Sequence, residues 1–164
     1  MTEGSKGMPD EVGAENEDHA DPMVAPVENS SAVQAHGGYV LDASALMCLV
    51  NGEPGAERVA AVLPRAVISA VNLAEVGAKL NELGADAQTA RALLAPLHLV
   101  VAPFDQDTAF ATGALRVATR GHGLSLGDRA CLALCADQGA TALTTDKAWA
   151  SLEKSLGVAV EVLR

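Results

Sequence analysis

The sequence places four carboxylates beside segments with the character of buried strands and helices. They are Asp42 after the apolar run GYVL, Glu75 in NLAEV, Asp128 in SLGDRA and Asp146 at the end of ALTTD. Two carboxylates about 4 Å apart repel by roughly 4 kcal/mol at an effective dielectric of about 20, so acids that converge need a cation. Oxygen ligands select Mg²⁺ or Mn²⁺, which often bridge to phosphates. Because such an ion activates bound water and stabilises a leaving oxygen, the predicted chemistry is phosphodiester hydrolysis.

Each acid taken alone also fits a structural role. Asp42 before ASAL and Asp146 before KAW match helix N-caps, since a short carboxylate accepts from the free amides of a first turn. Ser125 and Asp128 have the spacing of a capping box. Glu75 has a lysine four residues further on, the spacing of a stabilising helix pair. A cap is worth about 1 kcal/mol, which is less than the repulsion between two adjacent carboxylates. Whether the four acids converge therefore decides between the structural and the metal-binding interpretation.

Short apolar strands alternate with helices along the chain that carries these acids. The predicted strands are GYVLDAS, RAVIS, HLVVAPF, ATALTTD and VAVEVL. The predicted helices are EPGAERVAAVL, AVNLAEVGAKLNELG, DAQTARALLAPL, DQDTAFATGALRVATRGHG, LSLGDRACLALC and KAWASLEKSLG. Strands that are apolar on both faces are typical of a parallel sheet covered by helices. We therefore expect an α/β fold, a three-layer α/β/α sandwich around a mostly parallel five-stranded sheet.

In such a sheet, ligands bind beyond the carboxyl ends of the strands. Asp42 and Asp146 end the first and fourth predicted strands, so their carboxylates meet if these strands are neighbours. Glu75 and Asp128 lie near the starts of helices, which places all four acids at one edge of the sheet. The predicted apolar face of the helix around Glu75 consists of Leu73, Val76, Leu80 and Leu83.

Composition predicts one folded domain behind an acidic extension. The chain has 164 residues, of which 49% are hydrophobic, and a net charge of −10. Residues 1–36 hold eight acids and one lysine and lack hydrophobic periodicity, so we expect them to be disordered and residues 37–164 to form the domain. Because no apolar run is long enough to cross a bilayer and the acidic start is unlike a signal peptide, we expect a cytoplasmic protein without a membrane partner.

Four segments together resemble a known family. YVLDASAL, ISAVNLAEV, GLSLGDRACLALC and ALTTDKAW, in this order, resemble the PIN-domain ribonucleases, most closely the VapC toxins of bacterial toxin-antitoxin modules. The resemblance runs from about Gly38 to the C-terminus. It implies a Mg²⁺- or Mn²⁺-dependent endoribonuclease acting on single-stranded or looped RNA, a homodimer, and a small antitoxin whose C-terminal segment covers the active site.

The resemblance also implies roles for individual residues. It implies that the catalytic, metal-binding acids are Asp42, Glu75, Asp128 and Asp146. Polar positions that often lie beside such a site are matched by Ser44 and by Thr144 or Thr145. The acidic extension departs from the family pattern, and the resemblance says nothing about it.

Arginines provide the expected phosphate contacts. Residues 37–164 hold thirteen acids and ten bases, and a metal that neutralised four acids would leave the domain near +1. The available arginines are Arg58, Arg65, Arg116, Arg120 and Arg129. Arg116 and Arg120 are one helical turn apart and fit a phosphate-binding strip or a solvated face equally well. Arg129 fits a structural partner of a neighbouring carboxylate as well as a substrate contact.

Two alternatives from other functional classes remain open. A receiver-like signalling domain also binds Mg²⁺ with acids at strand ends, but it needs paired acids at the first strand and another at the third. GYVLDAS offers one acid, and the tips of RAVIS and HLVVAPF offer none. The other alternative is a catalytically silent PIN-like binding module. The only argument against it in the sequence is that all four acids are present.

Overall fold

The computed structural model describes residues 38–163 of the chain. The predicted disordered extension, residues 1–36, lies outside the described residues and stays a prediction. Within residues 38–163, no helix is both long enough and apolar enough to span a membrane.

Strands and helices alternate as the sequence predicts. The strands are β1 (Tyr39–Leu41), β2 (Ala66–Ser69), β3 (Val100–Ala102), β4 (Thr141–Thr144) and β5 (Val160–Val162). The helices are α1 (Ala43–Val50), α2 (Ala56–Val62), α3 (Ala70–Glu82), α4 (Ala87–Leu94), α5 (Gln106–Ala118), α6 (Leu126–Gln138) and α7 (Leu152–Leu156). Short 3-10 turns occur at Leu63–Arg65, Ala95–Leu97, Arg120–His122 and Lys147–Ser151.

The five strands form one sheet in the order β3-β2-β1-β4-β5, and every neighbouring pair in it is parallel. β1 therefore lies between β2 and β4, with Leu41 opposite Leu143 at the ends of two adjacent strands. Helices cover both faces. The expected three-layer α/β/α sandwich is confirmed, and the carboxyl ends of β1 and β4 are neighbours.

Two apolar cores, one on each face of the sheet, hold the layers together. One contains α6 and the last helical segment, with Cys131, Leu132 and Trp149 fully buried. The other contains α1 to α3, with Leu46 and Val76 fully buried. The apolar body of α6 is thus anchored in a core, whereas its first turn stays at the edge of the sheet.

Three details of the helices differ from the sequence prediction. Helix α1 was not among the predicted helices, although Asp42 before ASAL matched a helix N-cap. Leu83 is 73% exposed and does not join the apolar face of α3, because the helix ends at Glu82 and the chain turns away at Gly84, whose φ is +97°. The predicted last helix is also not continuous. It consists of the 3-10 turn Lys147–Ser151 followed by α7.

Candidate active site

Asp42 stands at the centre of the site, where β1 ends and α1 begins. Its side chain is 5% exposed, and its Oδ1 accepts a 2.7 Å hydrogen bond from Ala45 N, which makes it the N-cap of α1. Ser44 Oγ lies 2.9 Å from both carboxylate oxygens, and Thr144 Oγ1 donates to Oδ2 at 2.9 Å. The carboxylate is therefore buried and held in one orientation by protein donors.

Burial makes the charge on Asp42 costly. Desolvation raises the pKa of Asp42 from 3.8 to about 6, although the hydrogen bonds from Ala45, Ser44 and Thr144 lower it. The negative charge of Asp128 raises this pKa further, so the two carboxylates are close enough to repel. Within the described part of the chain, no basic side chain forms an ion pair with Asp42.

The end of β4 is hydrogen-bonded to the residues that surround Asp42. Thr145 N donates to Ser44 Oγ at 2.9 Å, and Asp146 N donates to Thr144 Oγ1 at 3.0 Å. The exposed Asp146 uses Oδ1 to accept from Ala148 N at 2.9 Å, so it is the N-cap of the following 3-10 turn. Ser44 and Thr144 thus contact the carboxylate of Asp42, Thr145 contacts Ser44 through its backbone, and Asp146 lies two residues beyond β4.

Asp128 lies in the first turn of α6 and forms a capping box with Ser125. Ser125 N donates to Asp128 Oδ2 at 2.7 Å, and Asp128 N donates to Ser125 Oγ at 3.1 Å. The pKa of the Cys131 thiol is raised first by its hydrogen bond with Cys135 and then by complete burial, and the charges of Asp42 and Asp128 add to the rise. Asp128 therefore caps its helix, and its charge acts on the buried side chains of Asp42 and Cys131.

Glu75 reaches the same region from α3. Its Oε1 forms an ion pair with Lys79 Nζ at 3.2 Å, and its Oε2 lies 2.7 Å from the position that a Cβ on Gly127 would occupy. Asn72, which was not among the predicted site residues, is 1% exposed and donates from Nδ2 to Gly127 O at 3.2 Å. Its spacing is the available signal, because Asn72 and Glu75 are three residues apart and share one face of α3.

The donor set fits a hydrated divalent cation better than a closed cage. Within residues 38–163, no three His, Cys, Asp or Glu side chains form a group that could hold one metal ion. Mg²⁺, however, usually binds one or two carboxylates and keeps several waters. Asp42 and Asp128 would be the carboxylates for such an ion, and Asn72 Oδ1 is a buried acceptor without a partner in the described chain. Bound water would supply the donor that this oxygen lacks.

The arginines divide into two groups. Arg58 donates from Nε and Nη2 to the two oxygens of Glu161, at 2.6 and 2.8 Å, and from Nη2 to Tyr39 Oη at 2.7 Å. The Arg65 guanidinium lies 5.1 Å from the centre of the same tyrosine ring. These two arginines are therefore engaged within the fold, which argues against their expected role at phosphates.

The other three candidate arginines lie near the start of α6. Arg116 and Arg120 are exposed at the end of α5 and in the turn that leads to α6. Arg129 donates from Nη1 to the carbonyl of Leu124 at 2.8 Å, and its buried Nε has no partner among the described residues. Its structural partner is thus a backbone carbonyl and not the carboxylate that the sequence suggested.

An apolar groove of about 860 Å³ runs between α3, α4 and β3 and is called the α3–α4 groove below. Its walls are mostly alanine and leucine side chains, including Leu73 and Leu94. Arg91 and His98 also line it and are exposed. The groove therefore combines a large apolar surface with basic groups.

The model of the PIN domain family matches residues 39–155. Among solved structures, VapBC2 from Rickettsia felis, bound to a promoter DNA fragment, is 16% identical with a TM-score of 0.61, covering 77% of this chain and 98% of that chain. A toxin-antitoxin complex from Klebsiella pneumoniae is 21% identical with a TM-score of 0.58, covering 77% and 98%. FitAcB from Neisseria gonorrhoeae is 23% identical with a TM-score of 0.54, covering 74% and 95%. No curated protein matches the chain.

Proposed function

The chain belongs to the PIN domain family, and from this premise we propose that it is a metal-dependent endoribonuclease that hydrolyses RNA phosphodiester bonds. The observation that carries the proposal is the state of Asp42. A carboxylate that is 5% exposed, repelled by Asp128 and without a basic partner in the described chain is costly to ionise. A bound cation offsets this cost, so the site favours a divalent metal.

We propose that the ion is Mg²⁺, with Mn²⁺ able to replace it. Asp42 and Asp128 would hold it, and Glu75 and Asp146 would complete the acidic set at this edge of the sheet. When bound, the ion supplies a water of lowered pKa and charge stabilisation for the leaving oxygen of RNA.

The chain's own residues keep this arrangement in place. Ser44 and Thr144 orient the carboxylate of Asp42 through their hydroxyl groups. Thr145 contributes its backbone N–H to Ser44, which ties the end of β4 to the start of α1. The capping box holds Asp128 at the start of α6. The site is therefore preorganised by hydrogen bonds at the ends of three elements, α1, β4 and α6.

Exposed arginines near the start of α6 would bind the RNA backbone. Arg116 and Arg120 are exposed and close in the chain to α6, so we assign them to phosphates. Arg129, already bonded to the Leu124 carbonyl, supports the loop before α6 and contributes its charge to the same surface. The negative charge of the domain then does not prevent RNA binding, because the metal neutralises the acids beside the substrate.

We further propose that the protein is the toxin of a toxin-antitoxin module and acts in the cytoplasm as a homodimer. The toxin-antitoxin complex from Klebsiella pneumoniae, similar in fold, supports an antitoxin partner. The α3–α4 groove suits an apolar segment of such a partner. Because Arg91 and His98 line the groove, acidic residues flanking that segment would complement it.

Cleavage of a long single-stranded RNA tests the proposed activity. The purified full chain, freed of any antitoxin, is incubated with Mg²⁺, with Mn²⁺ or with EDTA, beside Asp42→Asn and Asp128→Asn. The matched control is Asp105→Asn, because Asp105 is also a helix N-cap, that of α5, and lies outside the proposed site. We expect metal-dependent cleavage by the wild type and the control, and none by the two site variants.

The other outcomes are equally informative. RNA left intact by the wild type in both metals would favour a silent binding module. Cleavage that survives in both Asp42→Asn and Asp128→Asn would contradict the assigned site, although the protein would still be a nuclease.

A further inference from the structure

Gly127 occupies a helical position that does not require glycine for its backbone. It lies in the first turn of α6, directly before Asp128, and it is not among the glycines with positive φ. Alanine is a much stronger helix former than glycine. The reason for a glycine here must therefore be space rather than conformation.

That space is occupied by the side chain of Glu75. A Cβ on Gly127 would lie 2.7 Å from Glu75 Oε2, 3.3 Å from Asn72 Nδ2 and 3.6 Å from Ser125 Oγ. The shortest of these contacts is to the far end of a flexible side chain. An alanine would therefore push the carboxylate of Glu75 aside and leave the backbone of α6 in place.

Asn72 holds α3 and α6 together at this same point. It is 1% exposed, and its Nδ2 donates to the Gly127 carbonyl at 3.2 Å, which links two residues that are 55 positions apart in the chain. Lys79 binds the other carboxylate oxygen of Glu75 at 3.2 Å. The carboxylate thus lies between Lys79 on its own helix and the glycine of the neighbouring helix, although the Glu75 side chain is still 40% exposed.

We propose that Gly127 is a positioning residue: its lack of a side chain lets the Glu75 carboxylate reach the first turn of α6 beside Asp128, and Asn72 keeps the two helices at the required distance. This inference rests on the proposed function, because it assigns the Glu75 carboxylate to the proposed metal site. Gly127 has no side chain that could bind the metal or the RNA. It acts through Glu75.

The test is Gly127→Ala in the full chain, with Gly113→Ala as the matched control. Gly113 also lies within a helix, α5, and a Cβ there would meet nothing within 4 Å. Mn²⁺ affinity is measured by titration calorimetry, and thermal unfolding is measured in EDTA. We expect Gly127→Ala to bind Mn²⁺ about 10- to 100-fold more weakly, as for loss of a residue that orients a metal ligand, with an almost unchanged melting temperature. Gly113→Ala should match the wild type in affinity.

A double-mutant cycle with Glu75→Ala separates positioning from general distortion. If Gly127 acts through Glu75, then Gly127→Ala will weaken Mn²⁺ binding no further once the carboxylate is gone. Losses that add in the double variant, or a Gly127→Ala protein with wild-type affinity, would overturn the inference and leave the proposed function standing. A wild type that binds no Mn²⁺ would overturn both.

Discussion

Thr144 Oγ1 donates a 2.9 Å hydrogen bond to Asp42 Oδ2, which joins the ends of two adjacent parallel strands. The same hydroxyl oxygen accepts from Asp146 N at 3.0 Å. Thr144 therefore connects the buried carboxylate of β1 to the chain that leaves β4. Because the bond is donated to the ionised carboxylate, it lowers the pKa of Asp42 against the effect of burial.

Thr144→Val should destabilise the protein by about 1 to 3 kcal/mol, the usual cost of leaving a buried polar group without its partner. Thr112 offers a matched control, because both threonines are 0% exposed but Thr112 Oγ1 has no partner in the described chain. Thr112→Val should be neutral or stabilising. Urea denaturation at neutral pH measures both free energies of unfolding, and equal changes in the two variants would contradict the assigned role of Thr144.

The stability of the metal-free protein should depend on the protonation of Asp42. Its pKa is raised from 3.8 to about 6 in the folded state. The favourable contribution of Asp42 is therefore complete below its unfolded pKa and is lost as the pH rises through about 6, a change on the order of 3 kcal/mol.

Asp42→Asn removes this titration and keeps a good N-cap residue. In EDTA, the unfolding free energy of the wild type relative to this variant should fall as the pH rises from about 4 through about 6. Denaturation of both proteins at a series of pH values measures this difference in unfolding free energy. Other carboxylates affect the two proteins equally, so their opposite dependence on pH cancels in the difference. Added Mg²⁺ should stabilise the wild type at the higher pH and leave the variant unchanged. A difference that stays constant with pH would refute the prediction.

Arg116 and Arg120 should contribute to RNA affinity through phosphate contacts. Changing both to alanine in an Asp128→Asn background, which permits binding without cleavage, should weaken binding of single-stranded RNA. The dependence of log affinity on log salt concentration should become shallower by about 1.4, since each phosphate contact contributes about 0.7. Arg91→Ala on α4 is the control and should keep the wild-type slope. Fluorescence anisotropy at several salt concentrations measures the slopes. An unchanged slope would show that the two arginines form a solvated face and do not contact phosphates.

Arg58 should support the fold and not the reaction. Arg58→Lys loses the paired contact with Glu161, because a lysine cannot bind both carboxylate oxygens in the same planar geometry. We expect a lower denaturation midpoint and wild-type RNA cleavage. Glu161→Gln should lower the midpoint as well, and the double variant should lose less than the sum of the two. Loss of cleavage in a folded Arg58→Lys protein would contradict this prediction and indicate that Arg58 contacts the substrate.

Much of the fold and part of the site were predictable because they depend on local spacing. The alternation of apolar runs with helical periodicity determined the α/β sandwich, and the S-x-x-D spacing determined the capping box at Ser125 and Asp128. Asp42 was predictable as an N-cap for the same reason. Such features involve backbone groups within a few residues of each other, so the sequence alone specifies them.

The tertiary structure decided what those residues meet. The strand order made Thr144 a partner of Asp42, and the packing of α3 on α6 brought Asn72 and Glu75 to Gly127. It also engaged Arg58 with Tyr39 and Glu161, and so changed its expected role. These contacts join residues far apart in the chain, and their geometry depends on how whole helices and strands pack, which no local pattern encodes.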